Sequence, residues 1–409
     1  MRLGPFRALR PAPAEAARVA APPYDVVSRA EALALARDNP RSFLRVARAE
    51  IDLPEAVDAY DPRVYARARE NLRRLVAEGV LARDPSPALY VYRQADGAHV
   101  QTGVVGCVDV AAYEAGAIKK HETTRPDKED DRTRHILALR AQAEPVLLAH
   151  PATAAVDALA AAAAAAAAPL YDFAAADQVR HTVWPVADPG PWVRAFEAVE
   201  CAYIADGHHR TASAWRAAGA LRARPGGPVP GDAHERILAV LFPGDALRIL
   251  PYHRVVKDLG GLAPDALLRR LAGVGRLEPA SRPMAPAPRR FGFYLQGRWH
   301  RLTLPEGAPD PADPVRSLDV ALLAERVVAP VLGIVDQRTD PRIDFVGGSR
   351  GEAELERRVD AGEAALGIAL PPTTMAQLMA VADRGGTMPP KSTWFAPKLL
   401  SGLFVHAFE

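Results

Sequence analysis

The chain has 409 residues, 49% of them hydrophobic and 24% charged, with a formal net charge of +2. That length suits two or three domains, or one large α/β body with insertions, and the composition is that of an ordinary soluble globular protein. The near-zero net charge argues against a whole-chain electrostatic footprint for DNA or for a membrane surface.

Two cysteines occur, Cys107 and Cys201, both in apolar surroundings. They read as buried thiols in a reducing compartment rather than as a disulfide framework. No apolar run approaches the roughly 18 residues of a membrane span. The opening "MRLGPFRALRPAPAEAARVA" lacks the apolar centre of a signal peptide. The expectation is a cytoplasmic chain with no membrane partner.

In chain order, "YDPRVYARARENLRRLVAEG" has helical spacing through Tyr65, Leu72, Leu75 and Val76, with Gly79 as its stop. "ALYVYRQADGAHVQTGVVGCVDV" reads as a hairpin turning at Asp96-Gly97. A helix is expected over 130–143, then a short strand beginning at Pro145. Nine alanines, Ala160 to Ala168, predict a surface helix closed by Pro169, with no function assigned. "HTVWPV" and "CAYIAD" read as strands around a further helix, so the middle of the chain alternates strand and helix.

Beyond it, "ERILAVLFPGDALRILPYHRVV" reads as two strands around Pro243-Gly244-Asp245, and "FGFYLQGRWHRLTL" as a second hairpin. "VRSLDVALLAERVVAPVLGI" is amphipathic, and "EAELERRVDAGEAALG" is an acidic helix. The tail "MPPKSTWFAPKLLSGLFVHAFE" is apolar enough to dock on the body. The fold class expected is mixed α/β. Three segments are expected: 1–115 with the hairpin, 116–260 as the catalytic core, and 261–409 docking on that core.

Two stretches carry chemistry. In "CAYIADGHHRTASAW" (201–215) a strand ends at Asp206, Gly207 permits a tight turn, and a helix follows. The amide groups at that helix start, with His208, His209 and Arg210, make a site for an anionic group such as a phosphate. Asp206 either orients a hydroxyl, holds Mg²⁺ or caps the helix. In "IKKHETTRPDKEDDR" (118–132) eleven of fifteen residues are charged or histidine. Lys119, Lys120, His121 and Arg125 surround Glu122, which marks that carboxylate as a general base; the alternative is a solvated charged loop.

Two weaker motifs remain. In "APPYDVV", Pro22-Pro23 fix an extended approach that either presents Tyr24 and Asp25 to a pocket or forms a rigid turn. In the tail, Lys391, Ser392 and Lys398 are candidates for contact with an anionic substrate. His253, in "PYHRVV", reads as a packing histidine.

The ordered blocks resemble one family across nearly the whole chain. "APPYDVV", "NPRSFLRV", "HETTRPDKEDDR", "ADGHHR", "LPYHRVV", "LGI" with "IDFVGG", and "MPPKSTWFAPKLLSGL" are similar to those of the DUF1015 family. Thr211 stands where that family often has Tyr, which leaves any role of that ring open. Over roughly 116–220 the chain also resembles the ParB/sulfiredoxin-like core of free L-serine kinases. That resemblance implies a nucleotide-binding core with α/β additions at both ends, and an enzyme phosphorylating an alcohol group. It implies ATP or ADP as donor, Mg²⁺, and Glu122 as the base acting on the serine hydroxyl. Asp206 would be a hydroxyl or metal partner, His208, His209 and Arg210 would cradle phosphates, and His121 would lie near the substrate.

Two other functions fit part of the pattern. A ParB-like nucleotide-binding regulatory or DNA-associated protein is disfavoured by the charge balance and by the lack of a helix-turn-helix with a basic arm. A metal-dependent phosphoesterase would use His121, His208, His209 and Asp206, but no His-x₃-His or Cys-x₂-Cys spacing supports a tight cage.

Overall fold

Nine strands rich in Val, Ile, Leu and Ala build the main sheet of the computed structural model, which describes residues 1–223, 233–282, 286–307 and 313–408. They are β1 (Leu3–Gly4), β2 (Tyr90–Asp96), β3 (His99–Asp109), β4 (Ile118–Lys119), β5 (Val146–His150), β6 (Tyr171–Ala174), β7 (Arg180–Pro185), β8 (Ala202–Asp206) and β9 (Arg236–Pro243). Their spatial order is β4-β8-β5-β9-β3-β2-β7-β6, and β1 pairs with β3. Two neighbouring pairs, β4 with β8 and β5 with β9, run parallel, and the other pairs are antiparallel. Central strands covered on both faces need continuous apolar sequence, which "VLLAH" and "ILAVLFP" supply by being buried throughout.

The chain divides into two compact units, Met1–Leu247 with Pro397–Glu409, and Arg248–Ala396. This differs from the three segments that the sequence suggests. The β2–β3 hairpin, from the first expected segment, shares one sheet with β5, β8 and β9 of the second. Residues 397–409 also belong to the first unit, where Val405 exchanges two backbone hydrogen bonds of 2.9 Å with Leu9. His406–Ala407 pairs with Ala141–Gln142.

In the first unit, helices α1 (Pro62–Ala77), α2 (Pro126–Leu139), α3 (Ala154–Ala166), α4 (Gly190–Glu197) and α5 (His208–Arg222) flank the sheet. Val104, Val146, Leu148, Ile204 and Leu241 form the sheet's core with Trp192 and Phe196 of α4. A second core joins Val64, Ala68 and Leu72 of α1 to Phe43, Leu139 and Val405. Cys107 is buried and Cys201 half-buried, both as free thiols.

The hairpin forms at the expected turn, with Gly97 at φ 58°. Helix α2, however, spans Pro126–Leu139 rather than 130–143. Proline at its first turn needs no amide partner, and Asp127 and Glu129 complement the helix dipole there. Arg140 ends it in the left-handed conformation (φ 57°), freeing Ala141–Gln142 to pair as a strand.

The second unit holds an antiparallel six-stranded sheet in the order Arg276–Ala280, Arg298–Thr303, Arg290–Leu295, Leu366–Ala369, Tyr252–Val256, Ile343–Gly347. The hairpin expected from "FGFYLQGRWHRLTL" forms its centre, turning at Gln296-Gly297 with both residues at positive φ. His253 is buried and accepts the Leu370 amide at 3.2 Å, a packing role.

Candidate active site

Parallel neighbours deliver their following loops to the same edge of a sheet. Ala202 stands opposite Ile118 and Tyr203 opposite Lys119, so the chain leaves β4 and β8 side by side. The loop holding His121 and Glu122 therefore meets the turn at Asp206-Gly207, outside the carboxyl ends of the strands where α/β folds place ligands. The two motifs singled out in the sequence form one cluster.

The turn is tight for a physical reason. Gly207 has φ 99°, in the left-handed region, and a Cβ there would lie 3.0 Å from the Arg210 Nε. No side chain caps the helix that begins at His208. The amide groups of its first turn thus have no side-chain cap, and they carry the positive end of a fifteen-residue helix.

Asp206 is fixed by two cations. Lys398 Nζ lies 2.8 Å from one carboxylate oxygen, and an Arg210 terminal nitrogen lies 2.6 Å from the other. Burial opposes ionisation, but the charges of Lys398 and Arg210 outweigh it and hold the carboxyl well below the usual range. An additional Mg²⁺ at Asp206 would have to compete with both, so this carboxylate fits the role of an organiser better than that of a metal ligand. Arg210 also differs from the expected phosphate grip. It is 7% exposed, and its other terminal nitrogen donates to the Pro145 carbonyl. Its guanidinium faces inward, where burial disfavours its charge but Asp206, Asp25 and Glu144 sustain it.

Where the loop after β4 meets the start of α5, donor atoms of His121, Glu122 and His208 all lie within 4.8 Å of one another. The two imidazoles meet edge to face with centroids 4.4 Å apart. His208 Nδ1 is 3.9 Å from a Glu122 oxygen, and the His121 amide points at His208 Nε2 from 3.5 Å. Burial pushes His208 down to about 3, and burial with the neighbouring His208 lowers His121 as well, so both rings are neutral at physiological pH. The His208–Glu122 approach is therefore not an ion pair. Glu122 itself is half-buried. His209 Nε2 accepts the Arg125 amide at 3.0 Å, which ties the loop to α5. Arg216 reinforces the same contact by pairing with Glu129 and Asp130 of α2. Arg125 turns to Asp127 at 2.9 Å instead of to Glu122.

Beneath Asp206 lies a polar layer that the sequence did not reveal. Glu144 accepts the Tyr24 amide at 3.1 Å and the Ser401 hydroxyl at 2.7 Å. Burial raises its pKa, opposed by Arg210 and Arg132. The Tyr24 ring is buried, with the Arg132 guanidinium 4.3 Å from its centroid, while Asp25 is exposed. Tyr24 thus takes the rigid-turn role of the two open for it. Glu144 and Ser401 had no local signal, because their partners are distant in the chain.

Lys391 and Ser392 belong to the other unit. There the Ser392 hydroxyl donates to the Pro389 carbonyl at 2.6 Å, and the Lys391 ammonium lies 5.7 Å from the Tyr252 ring centroid. Arg254 donates to the Lys391 carbonyl at 3.2 Å. Of the three tail candidates, Lys398 is the one that reaches Asp206.

The family described as "Protein of unknown function (DUF1015)" has a model that matches residues 3–321. No curated protein matches the chain in sequence. Among solved structures, a free serine kinase in complex with AMP is 14% identical, with 71% of this chain and 87% of that one covered and a TM-score of 0.35. A conserved hypothetical protein from Pyrococcus furiosus is 16% identical, covering 73% and 94%, with a TM-score of 0.34. SbnI with a C-terminal truncation, from Staphylococcus aureus, is 14% identical, covering 73% and 85%, at 0.35. At these values the likenesses assign no residue of this chain a role.

Proposed function

The chain belongs to the DUF1015 family, and we propose that it is a nucleotide-dependent phosphotransferase acting on the hydroxyl of a small molecule, free L-serine foremost. One observation carries the reading: a half-buried carboxylate, Glu122, stands 3.9 Å from His208, in the first turn of an uncapped helix. A carboxylate able to act as base and an uncapped helix start therefore stand side by side, and phosphoryl transfer requires little more than positioning, charge stabilisation and an oriented nucleophile.

In this reading the amides of His208 and His209 bind the phosphates of ATP or ADP, favoured by the helix dipole. Gly207 supplies the left-handed turn that starts the helix and, by lacking a Cβ, leaves room for the Arg210 guanidinium beneath it. Arg210 and Lys398 act through Asp206, holding the turn in place. Mg²⁺ enters with the nucleotide, whose phosphate charge it offsets. Glu122 takes the proton of the acceptor hydroxyl as its oxygen bonds to the terminal phosphorus. The bond from that phosphorus to the bridging oxygen breaks, and the shortened nucleotide leaves with the bonding pair. His121 and His208, both neutral, wall the base without competing for its proton. The serine acceptor rests on the sequence resemblance to free L-serine kinases.

The test is phosphorus NMR on the purified protein with Mg²⁺, ATP or ADP, and a panel of free amino acids and small hydroxy compounds. Phosphoserine, or another phosphate ester formed with equal loss of nucleotide, supports the reading. Intact nucleotide with every acceptor rejects it.

A further inference from the structure

We propose that His121, Glu122 and His208 form a binding site for a divalent transition-metal cation of the zinc class. This goes beyond the phosphotransfer reading and stands without it.

Two imidazole nitrogens and one carboxylate suit zinc, cobalt or nickel, whereas magnesium selects oxygen ligands and keeps its waters. The three donors already lie within 4.8 Å of one another. Ligand bonds of about 2.0–2.1 Å place neighbouring donors roughly 3.3 Å apart in a tetrahedral site. The 3.9 Å between His208 Nδ1 and a Glu122 oxygen must therefore close by about 0.6 Å, and the widest separation, up to 4.8 Å, by about 1.5 Å; the half-buried Glu122 side chain stands where it can move.

The neighbouring candidates are already committed elsewhere. His209 accepts the Arg125 amide, and both Asp206 oxygens face cations. Among the described residues, His121, Glu122 and His208 are the set whose donors converge. Binding through His208 Nδ1 places that ring's proton on Nε2 and gives up the contact from the His121 amide. At 3.5 Å that contact is at the long limit for a hydrogen bond, so its loss costs little. Three protein ligands leave at least one coordination position for water or for a ligand oxygen, as in catalytic rather than structural zinc sites. If the phosphotransfer reading also holds, a bound cation withholds the Glu122 carboxylate from the acceptor hydroxyl.

The experiment uses the full chain without nucleotide. Co²⁺ is titrated and followed by its visible d–d absorption, and Zn²⁺ is titrated by calorimetry. The expected result is one Co²⁺ per chain, displaced by Zn²⁺. Glu122→Gln, at a half-buried position, should weaken Zn²⁺ binding on the order of tenfold or more. His208→Gln should do the same, and the distant His99→Gln should leave it unchanged. No stoichiometric Co²⁺ signal would overturn the proposal. So would a folded Glu122→Gln variant, with unchanged melting temperature, that binds Zn²⁺ as the wild type does.

Discussion

Lys398 and Asp206 are 192 positions apart in the chain, yet the Lys398 ammonium lies 2.8 Å from the Asp206 carboxylate. The C-terminal tail thereby completes the turn on which the candidate site is built. Docking the tail is part of making the crevice.

Lys398→Met keeps the apolar stem and removes the charge. It should lower stability at neutral pH by about 1.5–3 kcal/mol, the range for a hydrogen bond to a charged group. Asp206 has a depressed native pKa, so its contribution is complete above the unfolded value of about 3.9 and fades as the pH falls below it. The variant should show a shallower loss over that acid range. Urea unfolding at several pH values reads both effects, and curves that superimpose on wild type would refute the coupling.

Arg210→Ala should act on the fold first. It removes the Arg210 half of the charge balance at buried Asp206 and Glu144, leaving Lys398 and Arg132 to offset them alone, and breaking a buried pair costs about 3–5 kcal/mol. The melting temperature should fall sharply. A variant with wild-type melting behaviour and selectively lost nucleotide affinity would show that this guanidinium grips phosphate after all.

Gly207→Ala places a side chain at φ 99° and a Cβ 3.0 Å from Arg210 Nε. The strained backbone alone should cost about 1–3 kcal/mol. Nucleotide affinity should fall with it, because the helix start moves. Thermal melts and calorimetry check this, and unchanged values in both would contradict the turn's assigned role.

His135 is buried on α2 and bonds the Val46 carbonyl through Nε2 at 2.9 Å. Burial, aided by the charge of Arg132, pushes it down to about 4. Its unfolded value is about 6.5, so its stabilising contribution is complete above that pH. Below it the unfolded chain gains a proton that the native ring refuses, and stability falls until the pH nears 4. His135→Gln retains a donor for Val46 without titrating. Between about pH 6.5 and 4.5 the variant should lose stability more slowly than wild type, by about 1.4 kcal/mol per pH unit. Parallel profiles in urea unfolding would refute it.

Much of this site was legible locally. An apolar strand ending in Asp206-Gly207, followed by a helical pattern, specifies strand, turn and helix start within a dozen residues. The charged run around Glu122 likewise declares itself by composition. What could not be read was the partner of each charge. Arg210 looks like an anion grip in sequence, and only the fold shows that Asp206 and the Pro145 carbonyl already engage it. Lys391, Ser392 and Lys398 look alike in one tail motif, yet the boundary at 396/397 sends them to different units. The bounds of α2 lie four residues earlier than the sequence suggests at both ends, and its C-terminal end depends on Arg140 adopting φ 57°, which lets the next two residues pair with the tail.

Glu122→Gln separates a general base from a bystander in a phosphotransfer site whose phosphates are held by the other loop. The substitution keeps size and most hydrogen bonding while removing the proton acceptor. With serine and ATP or ADP, turnover should fall on the order of 10²–10⁴. Nucleotide affinity, measured by calorimetry on the same protein, should stay at the wild-type value. Near-wild-type turnover with every accepted substrate would contradict the account and leave the Glu122 carboxylate with no part in the reaction.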